Sequence, residues 1–306
     1  MSDAIEQFIA AIAATGLAAP NYINADGAIH RCSTDGKPSR KNFWYFLHLD
    51  GIPWGQAGSW DVNGGDPVCH WCAKSDNAMT PAELADHRQR IKAMKAQRDE
   101  AEAARCKDEA DKAAIRWQAA SSAFSHPYLA RKGVHAYGIR QDGETLLVPL
   151  RDTAGKLHSL QTITPDGEKR FKGRMRGCYH PIGCKPPAIC LVIAEGYATG
   201  ASIHEATGWP VAVAFNAGNV GPVAAALHKK YPELTLVIAA DDDWRTDGNP
   251  GLASAKSAAL AVGGFIVVPQ FPADRPDKAT DFNDLAALAG LDAVRACFSE
   301  IEVLSC

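Results

Sequence analysis

The second half of the chain alternates short apolar strands with helical segments, and this alternation limits the fold more than any other feature. Residues 189–194, 236–240 and 265–269 are apolar runs of strand length. Helical segments lie between and beyond them, at about 197–206, 222–230, 252–262 and 282–289. Because such alternation builds a sheet of mostly parallel strands with helices over its faces, the pattern predicts an α/β core.

Acidic residues follow each of these strands. Glu195 follows the first, Asp241, Asp242 and Asp243 follow the second, and Asp281 lies beyond the third. A helix-terminal carboxylate or a polar loop would explain each position singly, but not the combination. The carboxyl ends of parallel strands meet at one edge of a sheet, so these side chains are expected to converge. Clustered carboxylates need a cation, and hard oxygen ligands suit Mg²⁺ or Mn²⁺, which act on phosphates.

Motifs of other phosphate-binding folds do not occur in the sequence. A haloacid-dehalogenase-type phosphatase would have Thr or Val where Arg245 stands. No strand is followed by Gly-x-Gly-x-x-Gly, and there is no Gly-x-x-x-x-Gly-Lys-Ser/Thr phosphate loop. We therefore expect no helicase motor in the chain, so that a replicative helicase would be a separate partner.

A basic stretch precedes the first acidic residue, in a chain whose formal net charge is −3. Its cations are Lys169, Arg170, Lys172, Arg174 and Arg176. A solvated charged hairpin is one interpretation. Cations follow phosphates and aromatic rings such as Phe171 stack on bases, so the alternative is a groove for single-stranded DNA template and nucleoside triphosphates. The position of the stretch just before the acidic residues favours the groove.

Composition divides the 306 residues into four predicted parts. Residues 1–78 combine an initial helix with aromatic runs separated by turns, which predicts a small antiparallel sheet. Residues 79–125 predict a long charged linker helix that Thr80 caps. Residues 126–187 are predicted to form a small basic subdomain, and residues 188–306 the catalytic domain.

One Cys-x-x-Cys pair, Cys69 and Cys72, resembles half of a zinc ribbon. A zinc site would also need Cys32, with His30 or His70 as the fourth ligand, and the second pair of a ribbon is missing. The spacing therefore favours ordinary thiols over Zn²⁺.

Nothing in the sequence indicates export or membrane insertion. The first residues are acidic and amphipathic, and no apolar run approaches the roughly 18 residues that cross a bilayer. The nine cysteines fit reduced thiols, and Cys178, Cys184 and Cys190 are expected to be small apolar fillers. We therefore expect a cytoplasmic protein without a membrane partner.

Several of these motifs together resemble the Toprim domain that bacterial-type primases, topoisomerases and some nucleases share. The residues that carry this resemblance are Glu195-Gly196, Asp241-x-Asp243 and Asp281-x-Asn283-Asp284. Upstream segments are similar to the small basic subdomain of plasmid and phage primases, and they are 126–133, 148–155 and 169–173. The resemblance covers about 126–290. It implies a Rossmann-like Toprim core beside a small basic α+β subdomain and an aromatic-rich N-terminal module, which would bind zinc or DNA.

The resemblance also implies roles for individual residues. Asp241 and Asp243 would hold Mg²⁺ or Mn²⁺, Asp281 would be a further metal ligand, and Glu195 would be a metal ligand or acid/base. The position of Asp242 is often glycine in the family, which leaves its role open. Nucleic acid or nucleotide contacts would come from Arg151, Lys169, Arg170, Lys172 and Arg174, and Thr199 and Asn219 would line the site. The activity implied is a DNA primase that makes short RNA primers by two-metal phosphoryl transfer.

Two alternatives stay open at this point. A metal-dependent Toprim nuclease would use the same carboxylates, although such nucleases normally accompany an ATPase domain. A non-catalytic DNA-binding accessory protein of replication would keep the fold without turnover. The intact Glu195, Asp241 and Asp243 and the basic stretch before them favour the primase interpretation.

Overall fold

The computed structural model describes residues 2–34, 41–60, 62–183 and 190–304. The chain divides into two compact units, of which the first ends at residue 100 and the second begins at residue 101. The helices are α1 Ser2–Ala14, α2 Pro81–Ala119, α3 Pro127–Lys132, α4 Tyr197–Thr207, α5 Ala217–Lys230, α6 Pro250–Val262, α7 Phe282–Ala296 and α8 Ser299–Leu304. The strands are β1 His30–Cys32, β2 Phe43–His48, β3 Trp54–Ser59, β4 Val62–Cys72, β5 Ser121–Ser122, β6 Arg140–Asp142, β7 Thr145–Arg151, β8 Leu157–Ile163, β9 Lys169–Phe171, β10 His180–Ile182, β11 Cys190–Ala194, β12 Val211–Val213, β13 Thr235–Ala239 and β14 Phe265–Val267.

The first unit contains the antiparallel sheet that the aromatic runs predict, with strand order β1-β2-β3-β4. Side chains of β2 alternate between its two faces, as a strand period of two requires. Phe43 and Tyr45 pack in one core with Phe8 of α1, while Trp44 and Phe46 belong to a second cluster on the other face. Apolar residues on both faces explain why β2 is a continuous aromatic run.

Helix α2 begins at a reciprocal cap. The Glu83 backbone N–H donates to Thr80 Oγ1 at 3.3 Å, and the Thr80 backbone N–H donates to Glu83 Oε2 at 2.7 Å. This is the cap that the sequence predicts at Thr80. The C-terminal part of α2 is more than a solvated linker, because Ala113 and Trp117 pack with Leu147 of β7. The four-part division of the chain stays a prediction.

The second unit contains two five-stranded sheets. One is antiparallel, with strand order β5-β6-β7-β8-β9. The other has the order β10-β12-β11-β13-β14, in which the last four strands are parallel and β10 alone is antiparallel. The prediction of a mostly parallel sheet is confirmed. The sequence interpretation missed β12.

Helices cover both faces of the mostly parallel sheet. Side chains of β11 alternate between two cores: Val192 packs in a cluster that includes Tyr197 and Phe282, and Ile193 in one that includes Val223 and Ala258. Helices α4 and α7 therefore lie over one face, and α5 and α6 over the other. Strands β11, β13 and β14 run in the same direction. The residues that follow these three strands therefore lie at the same edge of the sheet, where the strands have their carboxyl ends.

Candidate active site

Four predicted metal ligands lie at the carboxyl edge of the parallel sheet, and we call them the acidic edge: Glu195, Asp241, Asp243 and Asp281. Glu195 follows the last residue of β11, and Asp241 comes two residues after the end of β13. Asp281 caps α7, since its Oδ1 accepts the Asp284 backbone N–H at 2.9 Å. Strand ends and one helix start thus fix all four positions.

The carboxylates of the acidic edge are poorly solvated and repel one another. Burial and repulsion between the carboxylates raise the pKa of Glu195, of Asp281 and, to about 8, of Asp241. In each case the loss of water is the largest cause, and charge repulsion adds to it. The Oδ1 atom of Asp241 is buried and accepts no hydrogen bond. A buried acceptor without a donor is costly, and a cation would satisfy it.

The donor set of the acidic edge fits a hard divalent cation in its chemistry, because every donor is a carboxylate oxygen. Among the described residues, however, no three His, Cys, Asp or Glu side chains are arranged to hold a metal ion. The carboxylates interact electrostatically but do not form a closed ligand shell. The bare Asp241 Oδ1 atom is the observation that favours a cation there.

Asp243 is held by the start of helix α6. Its Oδ2 atom accepts the Gly251 backbone N–H at 3.1 Å, and its own backbone N–H donates to Asn249 Oδ1 at 2.9 Å. A Cβ atom at Gly251 would lie 2.6 Å from the Asp241 carbonyl oxygen and 2.9 Å from Asp243 Oδ2. Only glycine therefore lets this helix approach the acidic edge so closely.

Asp242 takes no part in the acidic edge. Its Oδ2 atom accepts Arg275 Nη1 at 2.6 Å, and its carbonyl oxygen accepts Arg275 Nη2 at 2.8 Å. Arg275 Nε donates to the Ala279 carbonyl oxygen at 2.8 Å. Arg275 thus joins the loop that carries Asp241 and Asp243 to the loop that leads into Asp281. No local sequence signal pairs residues 33 positions apart, so the sequence interpretation missed Arg275.

Two lysines lie beside the acidic edge. Lys169 Nζ is 3.9 Å from where a Cβ of Gly196 would be, and it interacts electrostatically with Glu195 and Asp281. Much of the surface of Lys169 is exposed to solvent. Its ammonium group is nevertheless surrounded by protein atoms, and this desolvation lowers the pKa of Lys169. Lys132 was not predicted as a site residue, and its Nζ lies 3.7 Å from Asp284 Oδ1.

Helix α3 brings Lys132 to this position. The Asn283 side chain donates through Nδ2 to the Lys132 carbonyl oxygen at 2.7 Å and to Ser202 Oγ at 3.0 Å. His126 caps the helix, since its Nδ1 accepts the Tyr128 backbone N–H at 3.1 Å. The His-Pro-Tyr segment of the predicted basic subdomain is therefore a helix start that leads to the acidic edge.

Two of the other predicted basic residues have partners outside the acidic edge. Arg151 donates to the Gly155 carbonyl oxygen at 2.9 Å, and Arg170 pairs with Glu168 at 2.7 Å. Strand β9 explains the contrast with Lys169, because successive side chains of a strand point to opposite faces. Lys172 and Arg174 follow β9 and are exposed.

Two residues predicted to line the site have internal partners. Thr199 Oγ1 donates to Asp281 Oδ2 at 3.1 Å, which places it beside the acidic edge. Asn219 is buried, and its Nδ2 donates to the carbonyl oxygens of Ala214 at 2.8 Å and Cys178 at 2.9 Å. The amide of Asn219 therefore joins segments of the fold and does not line the site.

The structure does not bring the candidate zinc ligands together. Cys69 and Cys72 are three residues apart on β4, so their side chains point to opposite faces. Cys69 is buried in the core that packs against α1, and Cys32 contacts the same core. Cys72 lies elsewhere, with its Sγ atom 3.7 Å from His87 Nε2.

The two candidate histidines have other partners. His30 Nε2 is 2.8 Å from Asp26 Oδ1, and His70 Nδ1 is 3.1 Å from Gln56 Nε2.

The three cysteines predicted as apolar fillers have different outcomes. Cys178 and Cys190 are buried, as expected, and Cys184 lies outside the described residues. No helix in the described part of the chain is long and apolar enough to cross a membrane.

Residues 190–292 match the family model of the Toprim domain. This chain contains a Toprim domain. The match spans β11, the acidic edge and most of α7, and the predicted Toprim α/β fold is confirmed.

Two curated relatives from Escherichia coli, both named DNA primase TraC, are similar to the chain. One is 40% identical over 262 residues, which is 80% of this chain and 24% of the relative. The other is 35% identical over 308 residues, 92% of this chain and 20% of the relative. The predicted resemblance to Toprim primases of plasmids is confirmed, while the chain spans a quarter or less of these relatives.

Solved primase structures are also similar, at low identity. The primase fragment of the bacteriophage T7 primase-helicase protein is 16% identical, with a TM-score of 0.41, over 57% of this chain and 70% of that one. The DnaG primase catalytic domain bound to ssDNA is 13% identical, with a TM-score of 0.38, over 56% and 57%. At these TM-scores the likeness supports no further conclusion.

Proposed function

We propose that this chain is a DNA primase, or the primase part of a larger one, that makes short RNA primers on single-stranded DNA. The single observation that carries the proposal is the buried, unpartnered Oδ1 atom of Asp241 at the carboxyl edge of a Toprim domain. A chain of this similarity to proteins named DNA primase would use such an edge for nucleotidyl transfer.

In this proposal the acidic edge holds Mg²⁺ or Mn²⁺. When bound, the cation neutralises the triphosphate and favours attack by the 3′-hydroxyl of the growing primer. Asp241, Asp243 and Asp281 would hold the cation, and Glu195 would hold it as well or take the hydroxyl proton. Lys169 and Lys132 would attract the phosphates.

Charge distribution supports nucleic acid as the partner. Residues 126–187 carry eleven Lys and Arg against five Asp and Glu, while residues 188–306 carry seven against fourteen. Basic residues before the Toprim domain would bind the template strand, and acidic residues within it would bind the cation. We infer that a replicative helicase is a partner and that the protein works in the cytoplasm.

A metal-dependent nuclease is the second candidate, because the same acidic edge would serve hydrolysis of a phosphodiester. The similarity to proteins named DNA primase favours synthesis over cleavage.

Primer synthesis on single-stranded DNA with labelled nucleotides and Mg²⁺ or Mn²⁺ tests the proposal. Wild type should make short products, and Glu195→Gln and Asp241→Asn should each lose at least about 100-fold in rate. Asp292→Asn is the matched control, since this carboxylate is exposed and lies within the same Toprim domain. Template loss without products would favour the nuclease, and template binding without either reaction would favour the accessory protein.

A further inference from the structure

Two arginines and two aromatic rings pack against one another beside the acidic edge. Arg275 lies 4.1 Å from the ring centre of Phe271 and 5.1 Å from that of Trp244. Arg245 lies 4.1 Å from the Trp244 ring centre. Arg275 is largely buried by its pair with Asp242, whereas 40% of Trp244 is exposed. The cluster is therefore held by the buried Arg275 and exposes the ring of Trp244 to solvent.

The loop that carries Trp244 is braced by hydrogen bonds. The Trp244 backbone N–H donates to the Asp242 carbonyl oxygen at 2.8 Å, and the Thr246 N–H donates to the Asp243 carbonyl oxygen at 2.7 Å. Asn249 adopts a positive φ of 42°, and its Nδ2 donates to Asp242 Oδ1 at 2.7 Å. A loop held in this way presents the exposed ring in a fixed position, one residue after Asp243.

An exposed tryptophan next to an arginine combines the two side-chain types that bind bases and phosphates in nucleic acids. Every base offers a flat π face to an aromatic ring, and arginine binds phosphate and stacks on bases. We propose that Trp244 and Arg245 form a platform on which a nucleobase stacks as it enters the acidic edge. The inference rests on the proposed function, because it names the contact that this function would make with its substrate.

The base would come from the template strand or from the incoming nucleotide, and two binding measurements distinguish these sources. The first uses a fluorescent oligothymidylate and the second uses ATP, each supplied alone in the presence of Mg²⁺ so that no synthesis occurs. Trp244→Ala should weaken binding of one of them by about tenfold to hundredfold. Trp244→Phe keeps a ring and should stay within about threefold of wild type.

Phe265→Ala is the matched control. Phe265 is also 40% exposed and belongs to the same sheet, but it begins β14 and so lies at the opposite edge. The Phe265→Ala variant should bind the oligothymidylate and ATP as tightly as wild type does. Circular dichroism of each variant checks folding.

Three results would overturn the platform. They are equal binding by Trp244→Ala and wild type, an equal loss in Trp244→Ala and Trp244→Phe, and an equal loss in Phe265→Ala. A failure of the proposed function is a separate result, because wild type would then make no primers whatever Trp244 contributes to binding.

Discussion

The acidic edge and the cysteines of β4 both combine metal-binding residue types at short spacing, and the structure treats them in opposite ways. Asp241 and Asp243 follow one strand and share an edge with Glu195, which follows its neighbour. Cys69 and Cys72 lie within a single strand, and the strand itself turns their side chains apart. Residues at the ends of parallel strands converge, whereas residues an odd number apart along one strand diverge.

The same contrast appears between neighbouring residues elsewhere in the chain. Asp242 lies between two members of the acidic edge but pairs with Arg275. Lys169 lies beside the acidic edge, whereas Arg170 pairs with Glu168. Sequence proximity therefore indicates a shared region, while the local backbone decides which side chains meet.

The largest expected effect concerns pH in the metal-free protein. Folding raises the pKa of Asp241 from its ordinary value of 3.8 to about 8. Between these two pH values Asp241 holds a proton in the folded state and has released it in the unfolded state. The contribution of Asp241 to the free energy of unfolding is therefore fully present below about pH 4, and it is lost as the pH rises through 8. We expect a decrease on the order of 4 kcal/mol in EDTA, measured by denaturant unfolding.

Asp241→Asn should flatten this pH dependence, and Mg²⁺ should restore stability at pH 8 in wild type alone. A wild-type stability that does not decrease between pH 4 and 8 would mean that burial and neighbouring carboxylates do not raise the pKa of Asp241.

The next effect concerns the pair that braces the acidic edge. Arg275→Ala should lower the free energy of unfolding by about 3 kcal/mol, because it leaves the mostly buried carboxylate of Asp242 without its partner. Arg245→Ala removes the exposed pair with Asp277 and should cost less than about 1 kcal/mol. Denaturant unfolding measures both losses. Equal losses in the two variants would show that the Arg275–Asp242 pair stabilises the protein no more than the exposed Arg245–Asp277 pair does.

A smaller effect separates the two faces of β9. Lys169→Ala should slow primer synthesis about tenfold, because it removes an ammonium group beside the acidic edge. Arg170→Ala should stay within about twofold of wild type, since Arg170 pairs with an exposed glutamate. If Arg170→Ala proved the slower of the two in single-turnover synthesis, the basic stretch would act as a whole and strand alternation would not matter.

The smallest effect tests the cysteines of β4. Cys69→Ala should lower stability by about 1 kcal/mol through lost packing in the core. Cys72→Ala should cost about half as much, because Cys72 is only partly buried. A zinc chelator should change neither value. Large and equal losses, together with zinc in the purified protein by elemental analysis, would restore the zinc interpretation.

Much of the fold could be predicted because its signals are local. Apolar runs of strand length, the Thr80 cap and the residues that follow each strand all lie within a few positions of what they specify. The short strand β12 and the early start of α5 were missed. Asn216 accepts the Asn219 backbone N–H at 2.9 Å, so α5 begins before Pro222, where the sequence suggested its start.

The sequence by itself determined that carboxylates follow parallel strands, and hence that they meet at one edge of a Toprim sheet. Only the tertiary structure decided which neighbours face that edge and what braces it. Lys132 reaches the edge through Asn283, and Arg275 joins two loops that are distant in sequence. The physical reason is range: strand ends follow from local periodicity, while side-chain partners depend on how remote segments pack.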